Sequence, residues 1–205
     1  MNSVRSLVLA LALFPGGTAA ASRPPPGEPE RIVAVENFDA DLLAREIFRR
    51  TNEVRVAQGG TPLKPEPRLA AAAGGQAAML ALRIHSGHDS PLANQGDPNA
   101  RVEQAGLPEG YVAENVATLG ARKRGSGRGY TYRELAAVLV QAWMDSPGHR
   151  ANLLDPAVHY LGCGARMAML LGNPTAYAVQ DFYTPAPPHE PLPPSLKPGA
   201  THLTR

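Results

Sequence analysis

One cysteine, Cys163, stands among 205 residues. A chain with a single thiol has no intramolecular disulfide framework and no Cys₂ or Cys₄ zinc site. Charge is sparse too, at 19% of residues with a formal net charge of +2. Seventeen of the 20 basic residues are arginine, but so small an imbalance does not describe a nucleic-acid-binding face. Beyond the N-terminus no run is apolar enough to span a bilayer. There is no Walker motif, no Gly-x-Ser-x-Gly elbow and no His-Glu-x-x-His. Proline counts as high, at 21 residues, yet eleven of these lie in 22–29 and 185–198. The interior is therefore ordinary, and its 43% hydrophobic content suffices for one core, with a second full domain not expected.

The N-terminus has the order of a secretory signal peptide. Arg5 precedes an apolar run, Leu7 to Phe14, and small residues Thr18-Ala-Ala-Ala21 follow. Processing is expected near Ala19–Ala21. The run is too short for a permanent anchor, and no cysteine after it offers a lipid attachment point. A retained N-terminal anchor is the competing reading. The expected organisation is a signal peptide over 1–21, a linker over 22–38, a folded body over 39–183 and a Pro-rich disordered tail over 184–205. Such a chain is exported, to the periplasm or beyond, and has no stable membrane insertion once the signal is removed.

Within the body, periodicity predicts a helix over 39–58, with Leu43, Ile47 and Val54 on one face and Gly59-Gly60 ending it. A second, alanine-rich helix runs over 67–85, with Leu69, Ala73, Ala77, Leu80 and Ile84 on one face. Asp97-Pro98 opens a short helix. A strand is expected over 111–119. Arg122–Gly129 forms a glycine-rich basic loop, read as solvated, with phosphates or anionic headgroups as the alternative partner. Thr131 and Glu134 form a capping box for a helix through Trp143, and Ser146-Pro147 opens another. Two strands follow, over 158–169 and 175–183. Helices followed by strands, with little β-α-β alternation, indicate an α+β or layered α-β-α domain.

His149 falls in the first turn of the helix after Ser146, where the helix dipole disfavours an imidazolium. A neutral imidazole suits a metal ligand or general base, though local packing explains it equally. His88 lies just past a helix end and can pair with His85 around a metal or stay solvated. Glu114 on its strand either faces solvent or is buried with a partner. Glu134 is explained by its cap. Cys163 shares a strand face with Leu161, Ala165 and Met167 and reads as a small core residue rather than a nucleophile.

In order, Asn52-Glu-Val-Arg55, His88-Asp-Ser-Pro91, Glu114-Asn115, Trp143-Met-Asp-Ser-Pro-Gly-His-Arg-Ala-Asn-Leu-Leu154, Leu161-Gly-Cys-Gly164 and Val179-Gln-Asp-Phe182 resemble the CAP superfamily. This comprises cysteine-rich secretory proteins, antigen 5 and pathogenesis-related 1 proteins, and the likeness is to its bacterial SCP-like extracellular branch. The resemblance covers about 45–183 and leaves out the basic loop and the tail. It implies an α-β-α sandwich with a central antiparallel sheet and a large open cavity, lined here by His88, Glu114, Ser146 and His149. It further implies that His88 and His149 can hold zinc or another divalent ion, with Glu114 as water or metal partner. The family's second glutamate falls at Ser146, beside Asp145, so this chain retains only a His-Glu-His set.

Three functions are compatible with this reading. The first is a binding module for a lipid, glycan or protein partner. The second is a metal-dependent hydrolase of peptidase type, with Glu114 positioning water; a Ser146–His149 nucleophile pair is its lesser variant. The third is a structural exported protein with a vestigial cavity.

Overall fold

The computed structural model describes residues 28–83, 87–92 and 95–187. The signal-peptide reading of 1–21 and the part 188–205 of the expected disordered tail 184–205 lie outside the described residues, while the start of that tail is ordered: Thr184 and Pro185 end the last strand, and Ala186 donates to the Glu109 carbonyl at 2.9 Å.

Helix α1 (Ala40–Ala57) starts where its cap requires. The Asp39 carboxylate accepts the Leu42 N–H at 2.9 Å, satisfying one of the free donors of the first turn. Its buried stripe carries Leu43, Ile47 and Thr51, with Val54 half-buried beside them. After Gly59, in the left-handed region at φ +80°, the chain forms a two-residue strand, β1 (Lys64–Pro65), which the hydrophobic pattern does not announce. Helix α2 (Pro67–Arg83) buries Leu69, Ala73, Ala77 and Leu80; Ile84 lies outside the described residues. Helix α3 (Pro98–Gln104) is capped by Asp97, which accepts the Ala100 N–H at 3.0 Å.

Strand β2 (Gly110–Gly120) leads through the basic loop into α4 (Tyr132–Asp145). The Thr131–Glu134 capping box is made in both directions. Helix α5 (Pro147–Leu154) follows, then β3 (Tyr160–Leu170) and β4 (Asn173–Pro185). The sheet order is β1-β3-β4-β2. β4 pairs antiparallel with both β2 and β3, while β1 lies parallel to β3. The sheet is antiparallel apart from that short edge.

Strand alternation sorts the side chains into two layers. Ala176, Ala178 and Phe182 of β4 join the cluster made with α1 and α4. Tyr177 and Val179 face the other way, toward α2. The result is an α-β-α sandwich with α1, α4 and α5 on one side and α2 and α3 on the other.

The α2 side is unusually close. A Cβ at Gly162 or Gly164 of β3 would meet the α2 backbone at Leu69–Ala70 or Ala73–Gly74, well under 3.0 Å. The sequence Leu-Gly-Cys-Gly thus lets a helix backbone rest directly on a strand. Cys163, between them, points to the opposite core and is buried. Burial, followed by the nearby Asp181, pushes its thiol well up, so it is a packing residue.

The packed body also reaches N-terminal of Asp39. A 3₁₀ turn covers Glu28–Glu30. Ile32 bridges Thr131, Val33 donates to the Tyr130 carbonyl at 2.8 Å, and Val33 is buried.

Candidate functional site

Glu114 sits mid-strand in β2 on the α2–α3 side, with its side chain almost fully enclosed. Two partners make that burial tolerable. Arg101, buried on α3, reaches one carboxylate oxygen at 2.5 Å, a charge-assisted bond. His88 Nδ1 meets the other at 2.8 Å. A carboxylate only accepts, so Nδ1 carries the proton and Nε2 is the ring nitrogen not engaged by Glu114, on a half-exposed side chain.

Arg101 does more than neutralise Glu114. The same guanidinium donates to the carbonyls of His88 at 2.9 Å and Gln95 at 3.2 Å, pinning both ends of the loop that carries His88. Gln76 of α2 donates to the Gly87 carbonyl at 3.2 Å and fixes the loop from the other side.

Asp181 of β4 lies directly opposite Glu114 in the β2–β4 register. It is buried, and neither oxygen has a hydrogen-bond donor among the described residues. Two carboxylates side by side in a dry interior do not both ionise. Burial first, then the Glu114 charge, holds the Asp181 acid well above the usual range, with Arg101 pulling the other way. As a neutral acid it is a donor able to face Glu114.

On the opposite sheet face a relay of neutral groups fixes the second histidine. The Asn115 amide donates to the His149 carbonyl and to Gln180 Oε1, both at 3.1 Å. Asn152 donates to Asn115 Oδ1 at 3.0 Å and to the Glu114 carbonyl at 3.3 Å. Gln180 in turn donates to the Thr51 hydroxyl at 2.6 Å, and Thr51 to the Ile47 carbonyl at 2.8 Å. Helix α5 is thereby locked to β2, and β4 to α1. The basicity of His149 is lowered by burial and then by His88, which stands near enough to repel a second charge. Burial, and not the helix dipole expected from its first-turn position, is the leading cause.

Ser146 occupies the N-cap position of α5 but makes no side-chain cap bond. Its backbone carbonyl takes the Arg150 N–H at 2.8 Å, and Arg150 Nε reaches back to the Met144 carbonyl at 2.7 Å. Among the described residues no hydrogen bond joins Ser146 to His149. The His85–His88 pairing falls outside the described residues.

Asn52 and Arg55 of the first motif are structural. Asn52 brackets Leu63, donating to its carbonyl at 3.0 Å and accepting its N–H at 2.8 Å. Arg55 is buried and donates to the Leu153 carbonyl at 2.7 Å, ending α5.

Both Glu114 oxygens are engaged, so the donors left for a metal are His88 Nε2 and His149. Among the described residues no group of three His, Cys, Asp or Glu side chains converges on one point. The two imidazoles lie near enough for their charges to repel. An apolar trench of about 660 Å³ lies elsewhere, at the open edge of β3 between Ala44 and Phe48 of α1 and Ala70 and Gly74 of α2.

The family model for cysteine-rich secretory proteins, the CAP family, matches residues 48–182, and the chain belongs to that family. The protein YkwD of Bacillus subtilis (strain 168) is 28% identical over 120 residues, 58% of this chain and 41% of the relative. The chain thus spans less than half the length of that relative. An extracellular SCP-domain protein from Bacillus anthracis superposes with a TM-score of 0.53 at 22% identity, over 70% of this chain and 41% of that one. An outer surface protein from Borrelia burgdorferi does so with a TM-score of 0.54 at 17% identity, over 73% of this chain and 97% of that one. At these identities the two structures speak for the fold.

Proposed function

We propose that the chain is an exported binding module whose site around His88, Glu114 and His149, with Ser146 at its margin, receives a lipid, glycan or protein ligand without turning it over. The observation that carries this reading is the state of Glu114. With one oxygen on His88 and the other on Arg101, the carboxylate is a fixed support rather than a free base. It orients the imidazole, as an outer-shell carboxylate does for a ligating histidine. Export rests on the signal-like order of residues 1–21, and it agrees with the absence, among the described residues, of any helix long and apolar enough to cross a membrane.

A divalent ion such as zinc would be held by His88 and His149, with Glu114 behind His88. When bound, such an ion acts as a Lewis acid and lowers the pKa of a coordinated water. A two-imidazole platform gives weak, exchangeable binding, suited to a ligand anchor.

The test is a calorimetric zinc titration of the full chain and of residues 22–205, against the His88→Ala/His149→Ala variant, with peptide turnover followed in parallel. Binding lost in the double variant, with no metal-dependent turnover, is the expected result. Turnover abolished by both changes would overturn the reading in favour of the hydrolase. No zinc binding above the variant's background removes the metal and leaves ligand-dependent stabilisation as the deciding assay.

A further inference from the structure

Away from the histidines, two hairpin tips meet at one end of the molecule. The first is the basic loop between β2 and α4. Arg122 bridges Gly129, Lys123 donates to the Arg128 carbonyl at 2.7 Å, and Gly125 and Gly127 turn the chain at φ +83° and +66°. The second is the β3–β4 turn. Ala121 donates to the Pro174 carbonyl at 2.8 Å, which fixes the two side by side.

Between 119 and 134 the sequence holds five cations and one anion. That anion, Glu134, is taken by Lys123 at 2.6 Å and approached by Arg128 at 3.5 Å. Nearby Glu30 and Asp39 face Arg133 and Arg31. Arg122 and Arg124 are exposed, with no carboxylate partner among the described residues. They rim a groove of about 930 Å³ whose other lining includes Leu119, Val138 and Pro174.

The neighbouring tip is apolar. Leu171 is 92% exposed and Met169 47%. Leu171 holds φ +48°, a conformation a leucine rarely adopts. Leu82, 85% exposed, is the penultimate residue of α2 and directly follows Met79, Leu80 and Ala81, which join the cluster with Tyr177 and Ala168. Single exposed apolar residues are ordinary. An apolar tip beside uncompensated arginines is the combination that interfacial binding uses. A soluble polyanion would engage the cations and leave the tip idle; a lipid surface engages both.

We propose that this end docks peripherally onto a membrane bearing anionic phospholipid, with Arg122 and Arg124 on lipid phosphates and Leu171 and Met169 entering the headgroup boundary. The surface is separate from the histidine site, so either reading can fail alone.

The test is co-sedimentation with vesicles of phosphatidylcholine alone and of phosphatidylcholine with phosphatidylglycerol, using the full chain and residues 22–205. Both forms are expected to bind only the anionic vesicles, more weakly as salt rises. Arg122→Gln/Arg124→Gln is expected to weaken binding roughly 30-fold. Leu171→Asn, which suits the left-handed backbone and so folds at least as well, is expected to weaken it too. His88→Ala/His149→Ala should leave it unchanged. No binding, equal binding to neutral vesicles, or binding by the full chain alone, through its apolar run 7–14, would overturn the proposal. So would full binding by Leu171→Asn together with displacement by polyphosphate, which would assign the patch to a soluble polyanion.

Discussion

Asp181 faces Glu114 across the β2–β4 ladder, and among the described residues only Glu114 has hydrogen-bond donors. The pair is tolerated because one member stays protonated. An unfolded Asp ionises near its ordinary value of about 3.9, whereas the folded one resists. The folded-state value is raised, so the stability Asp181 allows is complete below about pH 3.9 and drains away as pH rises toward that raised value. Asp181→Asn keeps a donor and cannot ionise. It is expected to stabilise the protein at pH 7 by roughly 1–3 kcal/mol, with the gain vanishing near pH 4. Denaturant melts at the two pH values measure this.

Arg101 is the counter-charge for a carboxylate that water does not reach. Arg101→Met should cost about 3–5 kcal/mol, because it leaves the Glu114 charge buried with His88 alone. Adding Glu114→Gln to that variant should return a large part of the loss. Urea denaturation of the two singles and the double gives the coupling; additive losses would contradict the pairing.

The pH response of His149 has the opposite sign to that of Asp181. Its folded basicity is lowered by burial and by His88. Below the unfolded value of about 6.5, the unfolded chain takes up a proton that the fold refuses. Stability should therefore decline as pH falls from about 6.5 toward the lowered folded value. His149→Gln should flatten that part of the profile, as read from thermal melts between about pH 5 and 8.

Gly164→Ala should be among the most damaging small changes. Its methyl would land on the α2 backbone at Ala73–Gly74, a clash that side-chain rotation does not relieve, and a loss of 3 kcal/mol or more is expected. Gly120→Ala on β2 meets nothing within 4 Å and serves as the control. Equal melting of the two variants would refute the close packing.

The elements were legible where local chemistry dictates them. Asp97 and the Thr131–Glu134 pair announce helix starts, and both caps are made. Glu114 was open between solvent and a buried partnered state, and the strand register resolves it to the latter. What stayed hidden depends on distant partners. Arg101 looks like any helix-surface arginine until α3 is laid against β2. Asp181 carried a faint signal, an acid on the face shared by Tyr177, Val179 and Tyr183. β1 is too short to have a period. Ser146 looked like a capping hydroxyl, but backbone and Arg150 contacts hold that junction instead.

The strand glycines also act at a distance. Gly162 and Gly164 set how near α2 lies to the sheet; α2 carries Gln76, which holds the Gly87 carbonyl next to His88. The height of His88 above Glu114 is therefore gauged by two missing methyl groups on a strand that neither residue belongs to. A change there would detune the histidine while leaving every side chain around it intact.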